Sequence, residues 1–163
     1  ILNFFKRLFS TSNLELQIND GGRSAAGYKG KAGDCVVRSI AIVSGLPYQK
    51  IYDDLYNASA EFRKTSRTKL ARSLKQKNDS PRLGTHRVVV KKYLEKLGWN
   101  WTPTMFIGQG CKVHLKKSEL PMGTLIVSCS KHLTVVIDGV LHDTYDCSRR
   151  GTRCVYGYWT NLN

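Results

Sequence analysis

The sequence predicts an α+β domain, with helices in the first part of the chain and an antiparallel sheet in the last. Three observations carry this. Between residues 35 and 97 apolar residues recur at helical spacing. After Gly98 the recurrence shortens to alternation, in short runs separated by turn residues. The pair Asp138-Gly139 then joins two such runs, the strongest short-range hairpin signal. The 163 residues are of one-domain size, so one compact core is expected, needing neither metal nor disulfide to fold. A hydrophobic content of 41% with 10% aromatics excludes a disordered or collagen-like chain. No apolar stretch is long enough to span a bilayer.

Residues 1–27 read as an N-terminal extension and 28–163 as the domain. Ile1–Asn13 lacks acids and mixes Lys6 and Arg7 with apolar and hydroxyl residues. An organellar presequence has this flavour. An amphipathic surface helix packing Leu2, Phe5, Leu8 and Phe9 is the preferred reading. Residues 19–34 hold five glycines and form a loop. Asp34 then stands at an N-cap position before CVVRSIAIVS, in which Val36, Val37, Ile40, Ala41 and Val43-Ser44 recur at helical spacing until Gly45 closes the helix. Pro47 opens a second helix with Tyr48, Ile51, Tyr52 and Leu55 on one side. Residues 63–82 form a basic insertion, expected as a mobile excursion or an exposed helix. Thr85 is placed to cap a third helix to Leu97, with Val90, Leu94 and Leu97 inward and Arg87, Lys91, Lys92 and Lys96 outward. Strands are expected around Trp99–Trp101 and over 124–130, 132–138, 140–145 and 153–160.

Charge narrows the function classes. Lys and Arg number 26 against 12 Asp and Glu, a formal net charge of +14. Such a field attracts polyanions. The excess concentrates in Arg63, Lys64, Arg67, Lys69, Arg72, Lys75, Lys77, Arg82, Arg87, Lys91 and Lys92, eleven cations against the single anion Asp79. These residues are a candidate polyanion-binding set, the alternative being a solvated basic face. The five cysteines, Cys35, Cys111, Cys129, Cys147 and Cys154, contain no CxxC pair, so neither a zinc ligand set nor a disulfide framework is expected. Cys147 and Cys154 are read as two isolated thiols. A reducing compartment such as the cytoplasm follows, with an organelle or a virion as further settings.

The hairpin fixes more than topology. With a two-residue turn Ile137 opposes Val140, Thr134 opposes Asp143 and His132 opposes Tyr145. Side chains alternate with period two, so His132, Thr134, Asp143 and Tyr145 share one side, and His142 and Asp146 take the other. His132 and Asp143 become diagonal neighbours within imidazole-to-carboxylate reach. Cys35 begins a helix, where N–H groups and the dipole favour a thiolate. A cysteine so placed, a histidine to exchange its proton and a carboxylate to orient that histidine are the parts of nucleophilic acyl chemistry.

Gly33-Asp34-Cys35 running into an apolar helix, followed late in the chain by Lys131–Asp143 (KHLTVVIDGVLHD), resembles the papain-like cysteine peptidase superfamily, in particular its compact bacterial and phage members. The resemblance implies a cysteine on a central helix, with histidine and Asn/Asp on adjacent strands. Cys35 is then the nucleophile, His132 the base and acid, and Asp143 the orienting residue. It also implies hydrolysis of peptide or protein substrates through a thioester, with no cofactor and no metal. The same triad serves transglutaminases, acyltransferases and amidases. In place of the side-chain amide that usually precedes the cysteine, Gly27–Asp34 offers Tyr28 or Lys29 as oxyanion donor. The alternative function is a catalytically weak or inactive domain of this fold, serving as a basic nucleic-acid-, ribonucleoprotein- or phage-particle-associated protein.

Overall fold

The computed structural model describes residues 13–74 and 79–161. Leu2, Phe5, Leu8 and Phe9 of the expected N-terminal helix, and Lys75 and Lys77 of the basic set, lie outside them. The chain divides into two compact units: Asp20–Asn100, and a second that joins the chain up to Asn19 to the chain from Trp101 onward. The general class is α+β. Among the described residues, no helix is long and apolar enough to cross a membrane.

The first unit is helical, with α1 (Cys35–Ser44), α2 (Tyr48–Thr65), α3 (Lys69–Leu74) and α4 (Arg87–Lys96). Helix α1 buries Val36, Val37, Ile40 and Ala41, as the spacing predicts, but Arg38 and Ser39 between them as well, while Val43 is half-buried and Ser44 exposed. It ends at Gly45, whose left-handed backbone (φ 65°) turns its N–H onto the Ala41 carbonyl. Pro47 precedes α2, which buries Tyr48, Ile51, Leu55 and Phe62. Within the basic stretch, α3 packs Leu70, Ala71 and Leu74 against Phe62 and Val89. Its Lys69 and Arg72 stay exposed, so this part of the insertion is an exposed helix with one seated face.

Helix α4 starts one residue later than a cap at Thr85 predicts. His86 is its N-cap, and the Nδ1 of that ring accepts from the Val88 N–H at 3.2 Å. An imidazole nitrogen does here what a hydroxyl does at most caps. Leu97, expected inward, is the C-cap and 42% exposed, and Val89 takes the buried position instead.

The second unit is a six-stranded sheet in the order β1-β5-β4-β3-β6-β2. Its strands are β1 (Glu15–Ile18), β2 (Asn100–Pro103), β3 (Thr124–Cys129), β4 (His132–Ile137), β5 (Val140–Asp143) and β6 (Val155–Thr160). The meander β3-β4-β5 is antiparallel, β6 returns to the free side of β3, and β1 lies parallel to β5. Strand β1 falls inside the stretch that composition sets apart as an extension. Its Leu16 and Ile18 are 40% and 62% exposed, so the backbone ladder holds it and burial contributes little. One face of the sheet carries the buried cluster of Leu115, Leu120, Leu125, Val127, Val136, Leu141 and Val155, with Cys129 and Cys147. On the other face Trp101 packs against Trp159, the rings tilted with centroids 5.1 Å apart. Gly157 makes room for it, since a Cβ there would lie 2.4 Å from the Trp101 ring.

One cysteine expectation is overturned. Cys154 is not an isolated thiol but is bonded to Cys111. Residues 113–115 run alongside 153–155, joined by Leu115 N–H to Arg153 O and Val155 N–H to Val113 O, which brings the two Cα atoms to 5.9 Å. No local spacing announces a contact 43 residues apart. Among the described residues, Cys35, Cys129 and Cys147 form no disulfide.

Candidate functional site

The β4-β5 turn has Asp138 at φ 49° and Gly139 at φ 78°, two positive values in succession as a type I′ turn requires. Ile137 opposes Val140, Val136 opposes Leu141 and Val135 opposes His142, the register the sequence predicts. Period-two alternation then places His132, Thr134 and Asp143 on the face of the buried cluster.

There the two predicted partners meet. His132 Nε2 lies 2.7 Å from Asp143 Oδ2. A carboxylate only accepts, so Nε2 carries the proton and the lone pair of the neutral ring is on Nδ1. Thr134 Oγ1 donates to the same Oδ2 at 2.7 Å, and the Thr144 N–H donates to Oδ1 at 2.7 Å. Both carboxylate oxygens are thereby fixed in a side chain only 1% exposed. Tyr145 leaves the strand yet keeps its predicted side, its ring 5.6 Å from the imidazole. Asp146 takes no part and accepts from the Ser148 N–H.

Two further groups at this site escape a reading by strand periodicity. The Cys147 thiol donates to Asp143 Oδ2 at 3.6 Å. Arg153 donates from Nη1 to the Cys147 carbonyl and from Nη2 to the Ser130 carbonyl, tying the Cys147 loop to the turn that leads into His132. The chain has left the strand after Asp143, so no alternation places Cys147 here. Burial pushes the neighbouring Cys129 thiol up to about 11.

Cys35 belongs to the helical unit, at the first position of α1 and half-buried. The preceding loop is anchored by the Gly33 N–H on the Arg82 carbonyl and by Arg82 Nη2 on the Lys29 carbonyl. Asp34 occupies the N-cap position but makes no side-chain cap bond. Its carboxylate is fully buried instead, accepting from Arg38 Nε at 3.1 Å and from the Tyr48 hydroxyl at 2.7 Å, with Arg23 Nη1 at 3.5 Å. The charge beside Cys35 is therefore matched by two guanidinium groups. Burial, and then the Asp34 carboxylate, push the Tyr48 phenol above its ordinary range. Tyr28, offered by the sequence as an oxyanion donor, gives its hydroxyl proton to Gln49 Oε1, and its ring sits against Tyr48, Tyr52 and the Arg82 guanidinium.

The basic set separates into two groups. Arg63 pairs with Asp79, and Lys91 with Glu95 at 3.8 Å. Arg82 lies 4.9 Å over Tyr28, and Lys92 lies 4.9 Å over Phe62. Lys64, Arg67, Lys69, Arg72 and Arg87 are exposed, and among the described residues they enter no ion pair. His86 and His114 are half-buried: His86 caps α4 and His114 bonds Glu119.

No protein-family model matches the chain, and no curated protein or solved structure matches it.

Proposed function

We propose that the chain is a papain-like cysteine hydrolase acting on peptide or protein substrates, with Cys35 as nucleophile, His132 as general base and acid, and Asp143 as the group that orients His132. The observation that supports this most is the His132–Asp143 contact of 2.7 Å in a register chosen from the sequence alone. With the Nε2 proton held by Asp143, Nδ1 is the atom that exchanges protons. The Cys35 thiol gives its proton to Nδ1 and its sulfur attacks the carbonyl carbon. Collapse of the tetrahedral oxyanion breaks the C–N bond, and the amine leaves with the proton from Nδ1. Water then gives a proton to Nδ1, its oxygen adds to the thioester carbon, and the thiolate departs to leave a carboxylic acid. Backbone N–H groups in the first turn of α1 are the oxyanion donors in this scheme, since the Tyr28 proton is committed to Gln49.

A peptidyl chloromethyl ketone at near-neutral pH tests it, with the adduct located by mass spectrometry. The expected result is modification of Cys35 over Cys129 and Cys147, slowed on the order of 10²-fold or more in His132→Ala. Preferential modification of another cysteine, or an unchanged rate in His132→Ala, overturns the assignment.

A second reading has its own support in the five exposed cations, from Lys64 to Arg87, that enter no ion pair among the described residues. It makes the helical unit a surface for nucleic acid, or for a ribonucleoprotein or virion particle. Binding to duplex DNA should then weaken with a slope of about −0.9 in log K against log salt per neutralised phosphate. Replacing Lys64, Arg67, Lys69 and Arg72 by Ala should flatten that slope without altering Cys35 reactivity. Absence of binding at low ionic strength removes this reading.

A further inference from the structure

We propose that His132, Asp143 and Cys147 form a binding site for a divalent cation of the zinc class, and that occupancy of this site switches off the chemistry of Cys35. The site stands on its donors alone, whereas the switch rests on the function proposed above.

A ring nitrogen of His132, a carboxylate oxygen of Asp143 and the Cys147 Sγ all lie within 4.8 Å of one another, and Nε2 is the nitrogen that faces Asp143. Tetrahedral zinc, with bonds of roughly 2.0–2.3 Å, sets its ligand atoms about 3.3–3.8 Å apart. The Cys147 Sγ–Asp143 Oδ2 separation is already 3.6 Å, and the His132–Asp143 pair at 2.7 Å needs to open by only about half an ångström. One imidazole nitrogen, one carboxylate and one thiolate are a borderline-soft set that prefers zinc or cobalt to magnesium or calcium. Carboxylate and thiolate together carry two negative charges, which a dication matches, and this lowers the cost of burying it. Three protein ligands leave a fourth position for water. The outer partners are in place: Thr134 and Thr144 hold the carboxylate, and Arg153 holds the Cys147 loop through the Cys147 and Ser130 carbonyls.

Binding releases the Cys147 thiol proton to solvent, and the ring proton passes through solvent from Nε2, where the ion binds, to Nδ1, so one proton in all is released. A neutral imidazole ligated through Nε2 carries its proton on Nδ1. That ring has no lone pair left to accept a proton from Cys35, so the loaded protein loses its base.

The test is titration of the whole chain with cobalt(II), followed by its near-ultraviolet thiolate-to-metal band and displaced by zinc. One cobalt per chain is expected, with the band retained in Cys35→Ser, lost in Cys147→Ser, and weakened at least about tenfold in affinity in His132→Gln. No band in the wild type, a band that survives Cys147→Ser, or one lost in Cys35→Ser overturns the site. Zinc is also expected to slow alkylation of Cys35 by iodoacetamide on the order of 10²-fold. An intact band with alkylation unaffected by zinc overturns the switch. An intact band with no His132 dependence of Cys35 overturns the hydrolase reading and leaves the cation site standing.

Discussion

Replacing Asp34 by Ala should destabilise the helical unit by about 3–5 kcal/mol, because it breaks a buried ion pair by removing one partner. The side chains of Asp34, Arg38 and Arg23 are 0%, 6% and 19% exposed, so water cannot take over the lost contacts without an opening of the fold. The Tyr48 hydroxyl, also buried, loses its acceptor at the same time. That loss alone is worth about 1–3 kcal/mol and overlaps with the first figure. Asp34→Asn keeps an acceptor for Tyr48 and should cost less. The double variant Asp34→Leu/Arg38→Met should cost less than the sum of its parts, because an apolar pair avoids stranding a charge. Urea unfolding followed by far-ultraviolet circular dichroism gives the totals, and hydrogen exchange of the α1 amides localises them. A loss below about 1 kcal/mol for Asp34→Ala would refute the view that this carboxylate neutralises the arginines around it.

Three other outcomes follow from single contacts. Gly157→Ala places a Cβ 2.4 Å from the Trp101 ring and 2.7 Å from the Thr102 carbonyl, so about 1–3 kcal/mol should be lost in urea unfolding, and the Trp101 emission should change. Glu119 is held down to about 2 by the His114 N–H, the Lys116 ammonium and the His114 ring. Its contribution is fully present above the ordinary carboxylate value and is lost as pH falls from about 4.5 towards 2, so Glu119→Gln should flatten the acid limb of the urea midpoint in that window. Replacing Cys111 and Cys154 by Ser opens a link between positions 43 residues apart, a chain-entropy loss of roughly 4 kcal/mol that the midpoint of the sheet unit should report.

Those features of the fold and site that depend on local period were legible in the sequence. The burial of Val36, Val37, Ile40 and Ala41 in α1 follows from helical spacing, and the register of β4 against β5 and the choice of Asp143 over Asp146 follow from alternation and a turn pair that admits one geometry. Features set by non-local or backbone contacts were not. Strand β1 offers Leu16 and Ile18 to solvent, so it lacks the burial from which strand patterns arise. The Cys111–Cys154 bond depends on two segments paired far along the chain. Asp34 has the residue type and position of a helix cap, yet two buried arginines and a tyrosine draw its carboxylate inward. Cys147 reaches Asp143 through an irregular loop, where no repeat predicts the direction of a side chain.

The triad is tested most directly by the pH dependence of Cys35 alkylation by iodoacetamide, in the wild type and in His132→Ala and Asp143→Asn. If His132 and Asp143 activate Cys35, the wild-type rate stays high well below the ordinary thiol value of ~8.5. Removal of His132 then shifts the profile up to that value, and Asp143→Asn gives an intermediate or slower profile. A wild-type rate that follows one titration near ~8.5 and is unmoved by His132→Ala contradicts the triad.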